Sequence, residues 1–174
     1  MPSLAGFYRP SKHLPDPTPE RTLAWMVRLT QDGLRDVEMR LFAEKLVLGL
    51  KPHDYLSEYA AVTNWVRTHI RYSRDPVHIE QVKTPRAVLE TETGDCDDAS
   101  VLVATLIGAL GGKARFVAGA FERFPSGKPN FVHVWAEAYD PASKAWVVLD
   151  PVPGRNVSKM IHRLIDSIVV SAVD

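Results

Sequence analysis

The chain contains one cysteine, and it stands among acids in the stretch Thr93-Gly94-Asp95-Cys96-Asp97-Asp98-Ala99-Ser100. A thiol attacks a carbonyl as its thiolate, and a free cysteine with a pKa near 8.5 holds only a few per cent of that form at neutral pH. The first turn of a helix favours a negative sulfur, because its backbone N–H groups have no partners within the helix. Asp97 and Asp98 share that turn and oppose the effect. An imidazolium beside the sulfur is the stronger lever.

The segment Phe131-Val132-His133-Val134-Trp135-Ala136-Glu137-Ala138-Tyr139 supplies an imidazole. Its alternation predicts a strand with one small aliphatic face and an opposite face carrying Phe131, His133, Trp135, Glu137 and Tyr139. A short turn-rich link, "DPASK", leads to the next strand, on which Trp146, Val148 and Asp150 share a face. Hairpin pairing about that link sets His133 and Asp150 on one side. An aspartate there accepts a hydrogen bond from one ring nitrogen and leaves the other for the sulfur.

The surrounding pattern supplies the frame. Thr18-Pro19 reads as an N-cap and first helical residue, opening helices over about 19–31 and, after a break at Gln31-Asp32-Gly33, about 34–48. A third helix covers roughly 54–70. Thr84-Pro85 starts a short one, and Asp95 caps a helix that runs to Gly111-Gly112 and is apolar nearly all round after Ser100, hence central. Strands follow over 114–121, 131–139 and 145–150. The C-terminal "MIHRLIDSIVVSAV" suits a helix by spacing and a strand by its β-branched end. Helices first and strands later indicate an α+β fold. Residues 1–18, rich in proline, read as an extended arm. Residues 19–174 read as one domain, with a core over about 60–153 and a C-terminal segment over 154–174.

The blocks "GDCDDASVLVATLIGALGGKARFV" and "HVWAEAYDPASKAWVVLDPV", with "WVRTHIRYSRD" ahead of them, closely resemble the transglutaminase-like core, a branch of the papain-like cysteine enzymes. The resemblance implies a cysteine at a helix N-terminus packed against an antiparallel sheet. It implies Cys96 as nucleophile, His133 as general base and Asp150 as orienting acid. Relatives often add a side-chain donor for the oxyanion upstream of the cysteine, and Tyr72 and Gln81 are the candidates here. The implied chemistry is thiolate attack on an amide carbonyl to give a thioester, resolved by water in a peptidase, amidase or deamidase and by an amine in a cross-linker. Hydrolysis of a peptide or protein substrate is the leading expectation for so compact a chain. The competing class is a structural or assembly protein of tailed phages that keeps the fold, docking on neighbouring subunits through the N-terminal arm or the C-terminal segment.

Composition bounds the partners. With 21 basic and 21 acidic residues the formal charge is zero, which removes the electrostatic case for nucleic acid. The longest apolar run, "VLVATLIGALGG", is about 12 residues against the roughly 20 needed to span a bilayer. The opening "MPSLAGFYRP" has no signal-peptide pattern, so synthesis in a cytoplasm is expected, with a virion as the destination on the assembly reading. No cofactor or metal is called for. An EF-hand loop begun at Asp95 would put Ser100 where glycine is needed and Leu106 where the bidentate glutamate belongs. His13, His53, His69, His78 and His162 are scattered and form no zinc motif.

Overall fold

The first five helices each start where a short polar side chain satisfies free N–H groups. The structure, a computed structural model, describes residues 12–13, 18–75, 81–154 and 157–174. After strand β1 (Lys12–His13), helix α1 (Pro19–Gly33) opens with Thr18 accepting from the Arg21 N–H. Helix α2 (Val37–Leu46) is capped by Asp36, and α3 (Tyr55–His69) by Asp54. Strands β2 (Arg71–Tyr72) and β3 (Gln81–Val82) precede α4 (Pro85–Thr91), capped by Thr84. Strand β4 (Thr93–Gly94) leads directly into α5 (Cys96–Ala109).

Strands β5 (Ala114–Arg123), β6 (Pro129–Asp140) and β7 (Ala145–Leu149) follow, then a short helix α6 (Val157–Met160), a 3-10 turn and β8 (Asp166–Val173). The four long strands form one antiparallel sheet in the order β7-β6-β5-β8. The fold is α+β, as the element order predicts. Helix α5 lies between the other long helices and the sheet, touching α1, α2, α3 and α4 on one side and β6 and β5 on the other. Val101, Leu102, Val103, Ala104, Leu106 and Ile107 are all fully buried. Such a helix has no solvent face, which is why its sequence lacks an amphipathic pattern. Leu102→Ala removes buried methyl groups from the centre of this layer, and the expected loss is about 2–5 kcal/mol of unfolding free energy in a urea titration.

Two boundaries differ from the sequence reading. Helix α1 runs through Gln31-Asp32-Gly33 instead of breaking there. Gly33 marks a close approach: a Cβ on it would lie 2.9 Å from both Pro85 Cγ and Thr105 Cγ2. The chain breaks at residues 34–36, and Asp36 begins α2. The ambiguous C-terminus resolves as both alternatives in turn, a short helix and then an edge strand. Strand β8 pairs with β5 from Ala114↔Val173 to Ala120↔Asp166, so the C-terminal segment packs on its own chain. Most of the proline-rich arm lies outside the described residues; within it, β1 pairs with β3.

Candidate active site

The turn that carries Cys96 is built by carboxylates. Asp95 Oδ1 accepts from the N–H groups of Asp97 (3.1 Å) and Asp98 (3.3 Å), and Asp98 Oδ2 accepts from the Asp95 N–H at 3.4 Å. This reciprocal capping box fixes the first turn of α5. Asp98 is fully buried and accepts the Lys83 N–H at 2.7 Å, with Lys83 Nζ 3.2 Å from its other oxygen. Gly94 leaves room for it, since a Cβ at that position would lie 2.6 Å from Asp98 Cβ. The glycine and three acids around the cysteine are therefore a packing solution. Asp95, Cys96 and Asp97 also present three ligand atoms within 4.8 Å of one another, but capping and helix-end charge account for the two acids.

That solution has an electrostatic consequence. Burial, then the charges of Asp97 and Asp95, push the Cys96 thiol well above its ordinary range, and a hydrogen bond from the Val134 backbone N–H opposes them. The sulfur's own hydrogen is directed at Asp97 Oδ1, 3.4 Å away. The opposition expected from the acids of this turn is thus the stronger effect, with Asp95 joining Asp97 in it. Asp95 already occupies the first-turn N–H groups, and two nearby carboxylates outweigh what remains. The same crowding raises the Asp95 carboxyl, through burial and then repulsion from Asp98. Asp97→Asn removes the nearer charge and lowers the thiol pKa; each unit of fall raises the thiolate fraction about tenfold. Faster alkylation of Cys96 by iodoacetamide at pH 7 is the expected readout.

His133 and Asp150 do meet. His133 Nε2 lies 3.0 Å from Asp150 Oδ2, both side chains almost fully buried. The sheet register brings this about: Ala136 stands opposite Leu149, which sets Asp150 diagonal to His133 on one face of the hairpin. Asp150 is itself held, its Oδ1 accepting the Val152 N–H at 3.1 Å and its carbonyl accepting Arg67 Nη2 at 2.5 Å. With Nε2–H donating to the carboxylate, the lone pair resides on Nδ1.

Cys96 and His133 line one cavity of about 290 Å³. Phe131, Val132, Val134 and Ala118 contribute its sheet side, Asp95 and Asp97 flank the thiol, and α1 closes the rest with Thr18, Pro19, Thr22, Leu23 and Met26. Among the described residues, no hydrogen bond joins sulfur and ring; the thiol proton sits on the Asp97 side.

The simple alternation expected along β6 fails at one point. Gly119 faces His133 and Ala120 faces Phe131, so Val132 is an extra residue, a bulge. Phe131 therefore leaves the alternation that His133 and Trp135 follow and packs against the main core. Trp135 stays on the His133 face, ring centres 5.9 Å apart, but it is fully buried against Val117 and Val157 and does not line the cavity. Of the two oxyanion candidates, Tyr72 pairs with Gly94 in the parallel β2–β4 ladder, two residues from the thiol in register. Its phenol is raised, by burial first and then by the Cys96 charge. Gln81 instead belongs to the β1–β3 ladder, its backbone N–H bound to the Asp75 carboxylate. Sequence reasoning missed the α1 wall, Lys83 and Arg67. The buried residues of α1 follow the spacing of any packing helix, so nothing in the pattern marks them as cavity lining.

A helix-borne cysteine packed on an antiparallel sheet that carries a buried His–Asp pair defines the class, and sequence comparison agrees. The chain belongs to the transglutaminase-like superfamily, whose core profile matches residues 42–151. No curated protein matches it in sequence. Among solved structures it is similar to a candidate cysteine protease from Cytophaga hutchinsonii, with a TM-score of 0.54 at 18% identity, covering 89% of this chain and 52% of that one. It is also similar to a candidate protease from Parabacteroides distasonis, with a TM-score of 0.60 at 12% identity, covering 88% and 30%. A third likeness, to Rad4–Rad23 crosslinked to an undamaged DNA, has a TM-score of 0.50 at 13% identity, covering 87% and 42%. The chain spans about half of the first structure and less than a third of the second. At these identities the likeness is one of fold. No helix among the described residues is long and apolar enough to cross a membrane.

Proposed function

We propose that this chain is a cysteine hydrolase of peptide or side-chain amides, with Cys96 as nucleophile, His133 as general base and Asp150 as the acid that orients it. One observation carries this reading: a buried imidazole, fixed through Nε2 by an anchored carboxylate, lines the same cavity as the chain's one thiol. The domain is taken as residues 19–174, with 1–18 as an arm.

Because the resting thiol is neutral, the sulfur loses its proton during attack. A rotation of the Cys96 side chain away from Asp97 presents the S–H to His133 Nδ1. The ring takes the proton as the carbon–sulfur bond forms, and Asp150 stabilises the resulting imidazolium. The tetrahedral oxyanion is met by the Cys96 backbone N–H at the start of α5 and by the Tyr72 hydroxyl. Collapse breaks the carbon–nitrogen bond, the imidazolium protonates the departing amine, and a thioester remains on Cys96. Water, deprotonated by His133, then releases the acid and restores the thiol. Tyr72→Phe leaves the fold intact and lowers the acylation rate by about 10–100-fold, less than the loss of a fully buried oxyanion donor.

The test is intact-protein mass spectrometry after mixing with an N-acylated p-nitrophenyl ester. The expected result is a single acyl adduct on Cys96 that decays in water, and none in Cys96→Ala. No adduct on Cys96, with the protein folded, would favour a non-catalytic protein that retains the fold. Decay accelerated by a primary amine, with amide product formed, would assign transamidation in place of hydrolysis.

A further inference from the structure

The cavity beside Cys96 is not made by the family core alone. The superfamily match begins at residue 42, yet Thr18, Pro19, Thr22, Leu23 and Met26 of the α1 region line the cavity. Helix α1 is a fixed wall. Leu23 and Met26 are buried in the main core, and α1 packs on α5 and β8. The cavity floor, judged by burial, is apolar: Leu23, Met26, Ala118 and Val134 are each at most 6% exposed. Thr18 and the half-exposed Val132 lie at the rim.

Size restricts the occupant. An apolar cavity of about 150 Å³ holds a benzene molecule. A volume of about 290 Å³ takes one sizeable side chain together with the amide it adjoins, and not an extended peptide. Charge restricts it further. Apart from His133, which is tied to Asp150, the described lining has no basic residue, and it carries Asp97 beside Asp95, so a carboxylate substrate side chain is disfavoured.

We infer that α1 is the substrate-selecting wall of this protein: with Ala118 and Val134 it forms a pocket for one apolar side chain, of leucine, methionine or phenylalanine size, on the residue whose carbonyl Cys96 attacks. The inference rests on the proposed role of Cys96 only for which carbonyl is attacked; the pocket itself stands on its lining. Its preformed walls discriminate by contact area, since each missing methylene in such a pocket costs about tenfold or more.

Cys96→Ala keeps the cavity and removes the chemistry, which separates the two readings. NMR titration of this variant with N-acetyl amino-acid amides is expected to rank leucine, methionine and phenylalanine at least about tenfold above alanine, aspartate and lysine. Thr22→Leu adds bulk from α1, and Ala118→Leu adds it from the sheet. Either change, in a variant whose thermal melt stays cooperative, should abolish phenylalanine-amide binding and retain alanine-amide binding. Equal affinities across the series, a lysine amide bound first, or both folded bulky variants binding phenylalanine amide unchanged would overturn the inference. An apolar ranking in Cys96→Ala, combined with no acyl adduct on the wild-type thiol, would uphold the pocket and sink the hydrolase reading instead.

Discussion

Replacing Asp150 by asparagine is expected to lower the acylation rate of Cys96 by about 10²–10⁴-fold while leaving the protein folded. The carboxylate does two things that an amide does not. In the proposed mechanism it selects the tautomer with the proton on Nε2, and it offsets the positive charge that the ring would gain on accepting the thiol proton. An asparagine presents either its oxygen, without the charge, or its NH₂, which forces the other tautomer and puts the hydrogen on Nδ1. Both outcomes remove the base. The loss corresponds to about 3–5 kcal/mol of transition-state stabilisation. Asp150→Ala differs in kind. It also strips the buried Val152 N–H of its acceptor, so a stability loss of about 1–3 kcal/mol accompanies the kinetic one. Rapid-mixing acylation assays together with urea titrations separate the two effects.

His133→Ala is expected to have an effect at least as large, about 10²–10⁴-fold on acylation. The argument follows from the resting state of the sulfur. Were the thiol already ionised, removing the ring would cost only the stabilisation of a preformed ion pair. Burial and the acids Asp97 and Asp95 hold the thiol above its ordinary range, so little thiolate exists without a base. The variant should therefore regain rate as pH rises toward the titration of the thiol, whereas the wild type reaches its plateau at lower pH. The sign is set by the direction of the shift: a raised thiol pKa depletes thiolate at neutral pH, and the base matters most there. Pre-steady-state acylation measured from pH 6 to 10 in both proteins reads it directly.

The local chemistry of the chain is legible where one residue type serves one purpose. Thr18, Thr84 and Asp95 read as helix starts or caps, and each stands where the structure uses it. The all-apolar run after Ser100 announces the central helix. The His133–Asp150 contact follows from strand alternation and the length of the hairpin link, because an antiparallel register fixes which residues share a face. What escapes the sequence depends on packing between distant segments. Gly33 reads as a helix stop until Pro85 and Thr105 are seen against it. The bulge at Val132 turns Phe131 over, and no residue type there signals an inserted position. The state of the thiol also escapes. A helix N-terminus and three acids make opposing contributions, and burial, absent from any sequence window, decides between them. The α1 wall is invisible for a similar reason, since leucine and methionine at helical spacing describe core and cavity lining equally well.

The measurement that bears most directly on the whole account is chemical rescue of His133→Ala. Removing the ring enlarges the cavity that Cys96 lines, and free imidazole can enter it. If an imidazole accepts the thiol proton during attack, acylation in the variant should rise in proportion to added imidazole and saturate, while Cys96→Ala stays inert. A His133→Ala variant that acylates at the wild-type rate without imidazole would contradict the account.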